Sequence, residues 1–361
     1  MENKAVCFIF MGNLYLCPYI TKYLEHIDYP FDIIYWNRDG IKEDIRARNV
    51  YSFEYELNNT NHKFEKLKGY WYFKKYATKI LKENSYDGVI VLQTIAGILL
   101  HEVLRKQYFN KFILDIRDYT LEKNKIFYYI EKKVIKASAF TVISSEGFKK
   151  FLPEFEYVIL HNNRMLDKTM VSKIKKRSKL TNKLVIAFIG FISYQEQHKK
   201  LLKIFKNDER FELYFIGKDA EKLIPFCKEN DINNVKIEGK FLPQNILYFY
   251  ENVNIINNLY GNNTPILDYA LSNKLYFAAE LRMPILVCEK TFMEEISKKY
   301  DLGYTVNFND PEICNKIYNY YHNIGWKVFE QNCDLFLQKV NDENKNFETK
   351  VKKFIKGERN D

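Results

Sequence analysis

Short runs of apolar, β-branched and aromatic residues alternate with longer stretches of helical periodicity along most of the chain, the pattern of a parallel sheet wrapped by helices. In the first half it predicts strands at Ala5–Phe10, Phe31–Tyr35, Val50–Tyr55, Gly88–Leu92, Phe112–Ile116, Phe140–Ile143 and Tyr157–Leu160. Helices fit Pro18–His26, Lys63–Glu83, Ile98–Gln107, Ile126–Ala137 and Ser145–Phe151. The alternation breaks over Asp167–Lys183, where lysine and arginine dominate and apolar residues are few. It restarts with strands at Leu184–Ile189, Glu212–Ile216, Val235–Glu238, Val253–Asn257, Pro284–Cys288 and Gly303–Val306. Helices fit between them at His198–Phe205, Asp219–Asn230, Gln244–Glu251, Asn273–Leu281 and Phe292–Tyr300, and from Pro311 onward the pattern is helical. The expected architecture is α/β: two doubly wound Rossmann-like domains, 1–166 and 184–310, facing each other across a cleft. A basic linker, 167–183, joins them, and a helical tail, 311–361, is free to pack back on the first domain.

Composition sharpens this only in part. A chain of 361 residues that is 47% hydrophobic supplies two cores and excludes disorder. The formal charge of +10 points to an acidic partner: nucleic acid, an anionic bilayer surface or a phosphorylated substrate. The lysines come without a nucleic-acid recognition motif, so no nucleic-acid partner is expected. No signal-peptide pattern opens the chain, and the longest greasy stretch, Val89–Leu100, is too short to span a bilayer. A cytoplasmic protein is expected, able to attach peripherally to the inner face of the cell membrane. The segment Lys63–Lys82 offers a surface for this, since a helix there sets a lysine face beside Phe64, Trp71, Phe73 and Tyr76. A helix packed on the core with a solvated lysine face fits the same residues. Six cysteines without a CxxC pair read as reduced, buried thiols, and neither they nor the acidic residues suggest a metal site.

Ligands of open α/β sheets bind beyond the carboxyl ends of the strands. Three predicted strands end in glycine followed by polar or aromatic residues: Met11-Gly12-Asn13, Gly190-Phe191-Ile192-Ser193-Tyr194 and Gly217-Lys218-Asp219. Glycine there lets the backbone approach a ligand closely, or simply makes a tight turn. None matches the dinucleotide fingerprint or the Walker A loop, so hydride transfer and nucleotide hydrolysis lose support. Ser272 or Asn273 can cap the helix that begins beside Lys274, which puts helix dipole and ammonium in one place. That combination suits a diphosphate leaving group, and equally describes a capped surface helix with a solvated lysine. In the first half, Asp115-Ile116-Arg117-Asp118-Tyr119 ends a strand; a carboxylate there can orient or deprotonate an acceptor hydroxyl, or close an Arg–Asp ion pair. His161 ends another strand near the expected cleft.

The order of Ile189-Gly190-Phe191, Phe215-Ile216-Gly217, Ile237-Glu238-Gly239, Asn257-Asn258-Leu259-Tyr260, Ser272-Asn273-Lys274-Leu275-Tyr276, Pro284-Ile285-Leu286 and Leu302-Gly303 resembles the donor domain of GT-B glycosyltransferases. It is most similar to the family-four-like (group one) branch of bacterial capsule and exopolysaccharide biosynthesis. Upstream, Ala139–Glu146 and Val158–Asn163 resemble the end of that fold's first domain. The resemblance implies hexosyl transfer from a nucleotide-linked sugar, UDP-linked first and another nucleotide second, a co-substrate rather than a cofactor, to a lipid-linked or oligosaccharide acceptor. No metal is required, because cationic groups can do a cation's work and no acidic metal-binding motif stands out, and the net charge with the Lys63–Lys82 segment points to an anionic membrane surface. Its donor-binding set would be Gly190, Phe191, Ser193, Tyr194, Gly217, Lys218, Asn258, Tyr260, Asn273, Lys274, Tyr276 and Glu280. Gly12, Asn13, Asp115 and Arg117 would stand on the acceptor side, with Lys274, Asp118 and His161 as catalytic residues. Two positions depart from the family: Phe277 stands where a ribose-binding Glu is usual, and Arg282 where Gly is common. Glu280, one helical turn beyond Phe277, is the expected substitute for the ribose contact. A non-catalytic scaffold of the same fold and a sugar-nucleotide 2-epimerase remain open alternatives.

Overall fold

A computed structural model describes residues 5–57, 63–175 and 181–358. The chain forms two compact units, one of residues up to His161 with those from Asp342 onward, the other Asn162–Asn341. The first holds seven strands: β1 (Val6–Phe10), β2 (Phe31–Asn37), β3 (Asn49–Glu54), β4 (Gly88–Val91), β5 (Phe112–Ile116), β6 (Phe140–Ile143) and β7 (Tyr157–Ile159). They form a sheet in the order β3-β2-β1-β4-β5-β6-β7, all pairs parallel. The second holds β8 (Leu184–Ile189), β9 (Phe211–Ile216), β10 (Val235–Glu238), β11 (Ile255–Asn258), β12 (Ile285–Cys288) and β13 (Gly303–Val306), again parallel, in the order β10-β9-β8-β11-β12-β13.

The central strands are continuous apolar runs because helices cover both sheet faces; β1, β5 and β8 are buried at every position. Edge strand β3 keeps polar, half-exposed residues instead. In each sheet the strand order reverses beside the first strand, between β1 and β4 and between β8 and β11. Those switch points open a crevice at the carboxyl ends, where loops diverge to opposite faces.

The final helix, Trp326–Lys356, serves both cores. Phe329, Cys333, Phe336 and Val340 are buried in the second unit, and Phe347, Val351 and Ile355 in the first. Their spacing of three, four or seven residues keeps one apolar stripe along 31 residues of helix.

The expected basic linker is a different object. Lys168–Lys175 is a helix whose Val171 and Ile174 are buried, with Leu166 and Met170 packed against the same core of the second unit. The apolar positions recur at helical spacing while lysines occupy the opposite face, so mean composition hides an amphipathic helix. The units meet along the chain at His161–Asn162, earlier than residue 166, and residues 176–180 of the expected linker lie outside the described residues. Pro265–Tyr269 is a further short helix that the pattern missed, and the expected helix Ile98–Gln107 is two, Thr94–Leu99 and His101–Gln107. Lys63–Glu83 buries Phe73, Ala77, Ile80 and Leu81, but its first turns expose Phe64 (82%), Leu67 (62%) and Trp71 (50%). All six cysteines are free thiols. No helix among the described residues is long and apolar enough to cross a membrane.

Candidate functional site

The carboxyl ends of β8 and β9 lie against each other. Gly190 and Gly217 follow them with φ of 139° and 138°, and a Cβ on Gly217 would stand 1.8 Å from the Gly190 carbonyl oxygen. Only glycine allows two turns to touch this closely. A Cβ on Gly190 would lie 3.5 Å from the Lys274 Nζ, an ordinary contact, so this turn and that amine are direct neighbours.

Lys274 enters from the helix Asn273–Leu281, whose cap is Ser272: its Oγ accepts from the Lys274 main-chain N–H at 3.3 Å. The side chain is buried, 6% exposed. Its Nζ donates to the Tyr260 hydroxyl at 2.8 Å and sits 3.9 Å from the centroid of the Phe188 ring. No carboxylate forms an ion pair with it among the described residues. Burial therefore pushes its pKa down to about 7. Burial pushes the Tyr260 phenol up to about 12, so that hydroxyl stays neutral. An ammonium has three donors, and Tyr260 takes one. The ring of Phe188 offers its electron-rich face, a weaker substitute for an anion.

Lys274 lines a cavity of about 400 Å³ together with Arg164, Lys218 and Lys240, and no Asp or Glu lines it among the described residues. Phe191, Phe241, Tyr250 and Phe277 form its apolar walls. Tyr250 and Phe277 stack with centroids 5.4 Å apart and planes 24° from parallel. Three cations and a buried amine able to take up a proton, without a carboxylate among the described lining residues and beside flat aromatic surfaces, can take a polyanion that carries a planar ring.

The cavity gathers six of the expected donor residues: Gly190, Phe191, Lys218, Tyr260, Asn273 and Lys274. Tyr194 and Asn258 line a smaller neighbouring cavity of about 210 Å³, which shares Tyr260 and Ser272 with the first. Ser193, Gly217, Tyr276 and Glu280 line neither. Tyr276 turns into the core and stacks on Phe336, and Glu280 stands half-buried one turn further along the helix. Glu280 is thus not brought to the cavity, whose wall on this helix is the apolar Phe277. The Gly190 amide is also committed, donating to the Ile216 carbonyl at 2.8 Å, and is not open to a phosphate. Arg282 ends the helix at φ 55°, a left-handed cap that glycine adopts more cheaply by about 1–2 kcal/mol. It offsets this by donating from Nη1 to the Ala279 carbonyl at 2.8 Å and by pairing with Asp334. Of the residues missed by pattern, Lys240 and Phe241 directly follow Ile237-Glu238-Gly239, so the strand-end rule reaches them. Arg164 and Tyr250 carry no such signal.

In the first unit a cavity of about 460 Å³ opens at the carboxyl ends of β1, β2, β4 and β5, and Gly12, Arg117 and Asp118 line it. The Arg117 guanidinium is clamped by buried Asp115, Nε to Oδ1 at 2.6 Å and Nη2 to Oδ2 at 2.8 Å. Tyr23 donates to Asp115 at 2.6 Å, and Arg117 Nη1 donates to the Leu160 carbonyl at 3.1 Å. Asp115 is therefore a positioning residue rather than a group facing a ligand. Burial raises the pKa of Asp118, with Arg117 opposing, which makes its carboxylate a better proton acceptor. Asn13 does not line the cavity; it accepts from the main-chain N–H groups of Arg38 and Asp39 at 3.0 and 3.2 Å and ties two strand-end loops together. His161 is turned away as well: its Nε2 lies 2.6 Å from the Glu343 carboxylate on the final helix. No cluster of His, Cys, Asp and Glu among the described residues is placed to hold a metal ion.

No family model matches the chain, and no curated protein matches it in sequence. Solved structures do match. A sucrose-phosphate synthase from Thermosynechococcus elongatus superimposes with a TM-score of 0.69 at 9% identity, covering 95% of this chain and 97% of its own. The lipopolysaccharide outer core galactosyltransferase WaaB gives 0.65 at 16% identity, covering 96% and 99%. Anabaena HepE in complex with UDP gives 0.61 at 10% identity, covering 95% and 98%. At these identities the likeness establishes the fold: two parallel-sheet α/β domains of the GT-B class with a long C-terminal helix.

Lys274 carries a testable cost. Its pKa is about 7 when folded and about 10.4 in an unfolded chain, so below pH 7 folding must bury a charged ammonium. Between those values the unfolded chain binds the extra proton, and the cost fades as pH rises. Lys274→Met should therefore be more stable than wild type below pH 7, with the advantage shrinking steadily up to about pH 10. Paired thermal melts from pH 6 to 10 measure this; a pH-independent difference would place the amine in water.

Proposed function

We propose that the chain is a glycosyltransferase that moves a sugar from a UDP-linked donor onto a hydroxyl of a lipid-linked oligosaccharide in surface-polysaccharide assembly. The observation that carries the reading is the cavity of the second unit, where Arg164, Lys218, Lys240 and buried Lys274 meet without a carboxylate. A nucleoside diphosphate supplies the missing negative charge, and its base finds aromatic walls. The fold shared with the glycosyltransferases above supports the same class. In the reaction the acceptor oxygen bonds to the anomeric carbon as the bond from that carbon to the diphosphate oxygen breaks. The electron pair leaves with UDP, and the acceptor proton passes to a carboxylate, for which Asp118 is proposed. Charged Lys274 stabilises the departing diphosphate, a job that preorganised cations can perform without a metal. The 2-epimerase alternative loses ground because no carboxylate lines the nucleotide cavity among the described residues. A non-catalytic scaffold is favoured by the two departures from the family pattern, Phe277 in place of the ribose-binding Glu and Arg282 in place of Gly.

The lipid-linked acceptor and the membrane belong to the same proposal. Phe64, Leu67 and Trp71 repeat at three and four residues and are exposed, and Lys75 Nζ lies 3.5 Å from the Trp71 ring centroid. An apolar stripe rimmed by lysines suits an anionic bilayer surface.

UDP and UDP-linked sugars should raise the melting temperature in a concentration-dependent manner. Lys274→Met should remain folded while losing about 10²–10³ in turnover. A flat response to every nucleotide would favour the scaffold, and wild-type turnover in the variant would remove Lys274 from the mechanism. Replacing Lys68 and Lys75 with Gln should weaken binding to anionic vesicles by about 1 kcal/mol per charge and leave neutral vesicles unaffected. Equal partitioning of variant and wild type would show that this helix does not meet lipid.

A further inference from the structure

The cavity of the first unit contains more cationic charge than its own carboxylates neutralise. Arg38, Lys66 and Arg117 line it, with Asp118 as its carboxylate. Arg117 is already spent on Asp115. Arg38 pairs with no acid among the described residues: it follows β2 directly, half-buried, its guanidinium 4.4 Å over the Trp36 ring and beside the Tyr70 hydroxyl, and its Nε is buried without a hydrogen-bond partner. The neighbouring carboxylate, Asp39, accepts instead from the Tyr15 hydroxyl at 2.7 Å. Lys66 stands exposed at the rim, 5.8 Å from the Tyr70 ring centroid, with no carboxylate paired to it among the described residues. A partly desolvated guanidinium without an anion is costly, and its flat fork of donors matches phosphate in particular. The buried Trp36 ring beneath it restrains that fork before any ligand arrives.

We propose that this cavity binds an acceptor bearing a phosphate group, held by Arg38 with Lys66, so that the acceptor hydroxyl falls to Asp118. That the phosphate compound is an acceptor rests on the glycosyl-transfer reading; that the cavity binds it does not. Two sources share this chemistry, a soluble sugar phosphate and the diphosphate head of a prenyl lipid.

Calorimetric titration separates them, using glucose 6-phosphate against glucose and geranyl diphosphate against geraniol, with UDP titrated into the same preparations. One phosphate should bind at least tenfold more tightly than its uncharged counterpart, and which one does so identifies the source. Arg38→Gln should lose that tenfold preference while UDP affinity stays within twofold, and Lys66→Gln, at an exposed position, should lose part of it. If neither phosphate is preferred, or if both variants keep the preference, the proposal is wrong. Phosphate binding without UDP binding would sink the donor reading and leave this one standing; the reverse would do the opposite. Should Arg38→Gln fail to fold, shown by loss of its melting transition, Lys66→Gln alone decides.

Discussion

A single buried amine governs the second unit. Lys274 has no carboxylate to pair with among the described residues, only the Tyr260 hydroxyl and the face of Phe188. Everything around it follows from making such a position tenable. Gly190, at φ 139°, carries the backbone past the amine, Gly217 must lack a side chain for the Gly190 carbonyl to pass, and Ser272 caps the helix that delivers the lysine. A protein that wanted only stability would place an apolar residue here or supply an acid. Leaving the amine half-satisfied makes sense where an anion completes the site on arrival.

The two cavities solve related problems with different cations. In the second unit a lysine shifted toward neutrality can take up charge when a diphosphate enters or develops. In the first, arginines hold permanent charge: Arg117 is locked to Asp115, which leaves Asp118 beside a fixed positive neighbour, and Arg38 is stacked rather than paired. Both cavities lie beyond the carboxyl ends of parallel strands, near the points where strand order reverses.

Much of this was legible in the sequence, and the failures have physical causes. Strands such as Leu184–Ile189 and Phe112–Ile116 are matched to the residue because unbroken apolar runs leave little choice of register. Lys274 was legible because a cap, a helix start and a lysine coincide after a strand and its loop. The helix Lys168–Lys175 was hidden, since three apolar residues among lysines vanish in average composition and emerge only when helical spacing is applied. Glu280 was reached by counting along one helix. That procedure fixes a face but cannot say how far a cavity extends along it. Tyr250, which completes the wall with Phe277, belongs to a helix 27 residues earlier, and nothing local links the two. Asn13, Asp115 and His161 were read as ligand-facing because they sit at strand ends, yet each spends its polar atoms on the protein itself.

The central claim is that an incoming diphosphate restores the charge of a lysine whose burial has largely removed it. At pH 8 the terminal phosphate of UDP is already ionised, since its pKa is about 6, so it contributes no proton on binding. Calorimetry of UDP binding at pH 8, repeated in buffers of different ionisation enthalpy, counts the protons exchanged. The account predicts uptake of about one proton by wild type and none by Lys274→Met. Binding without buffer dependence, or identical uptake in the variant, would contradict it.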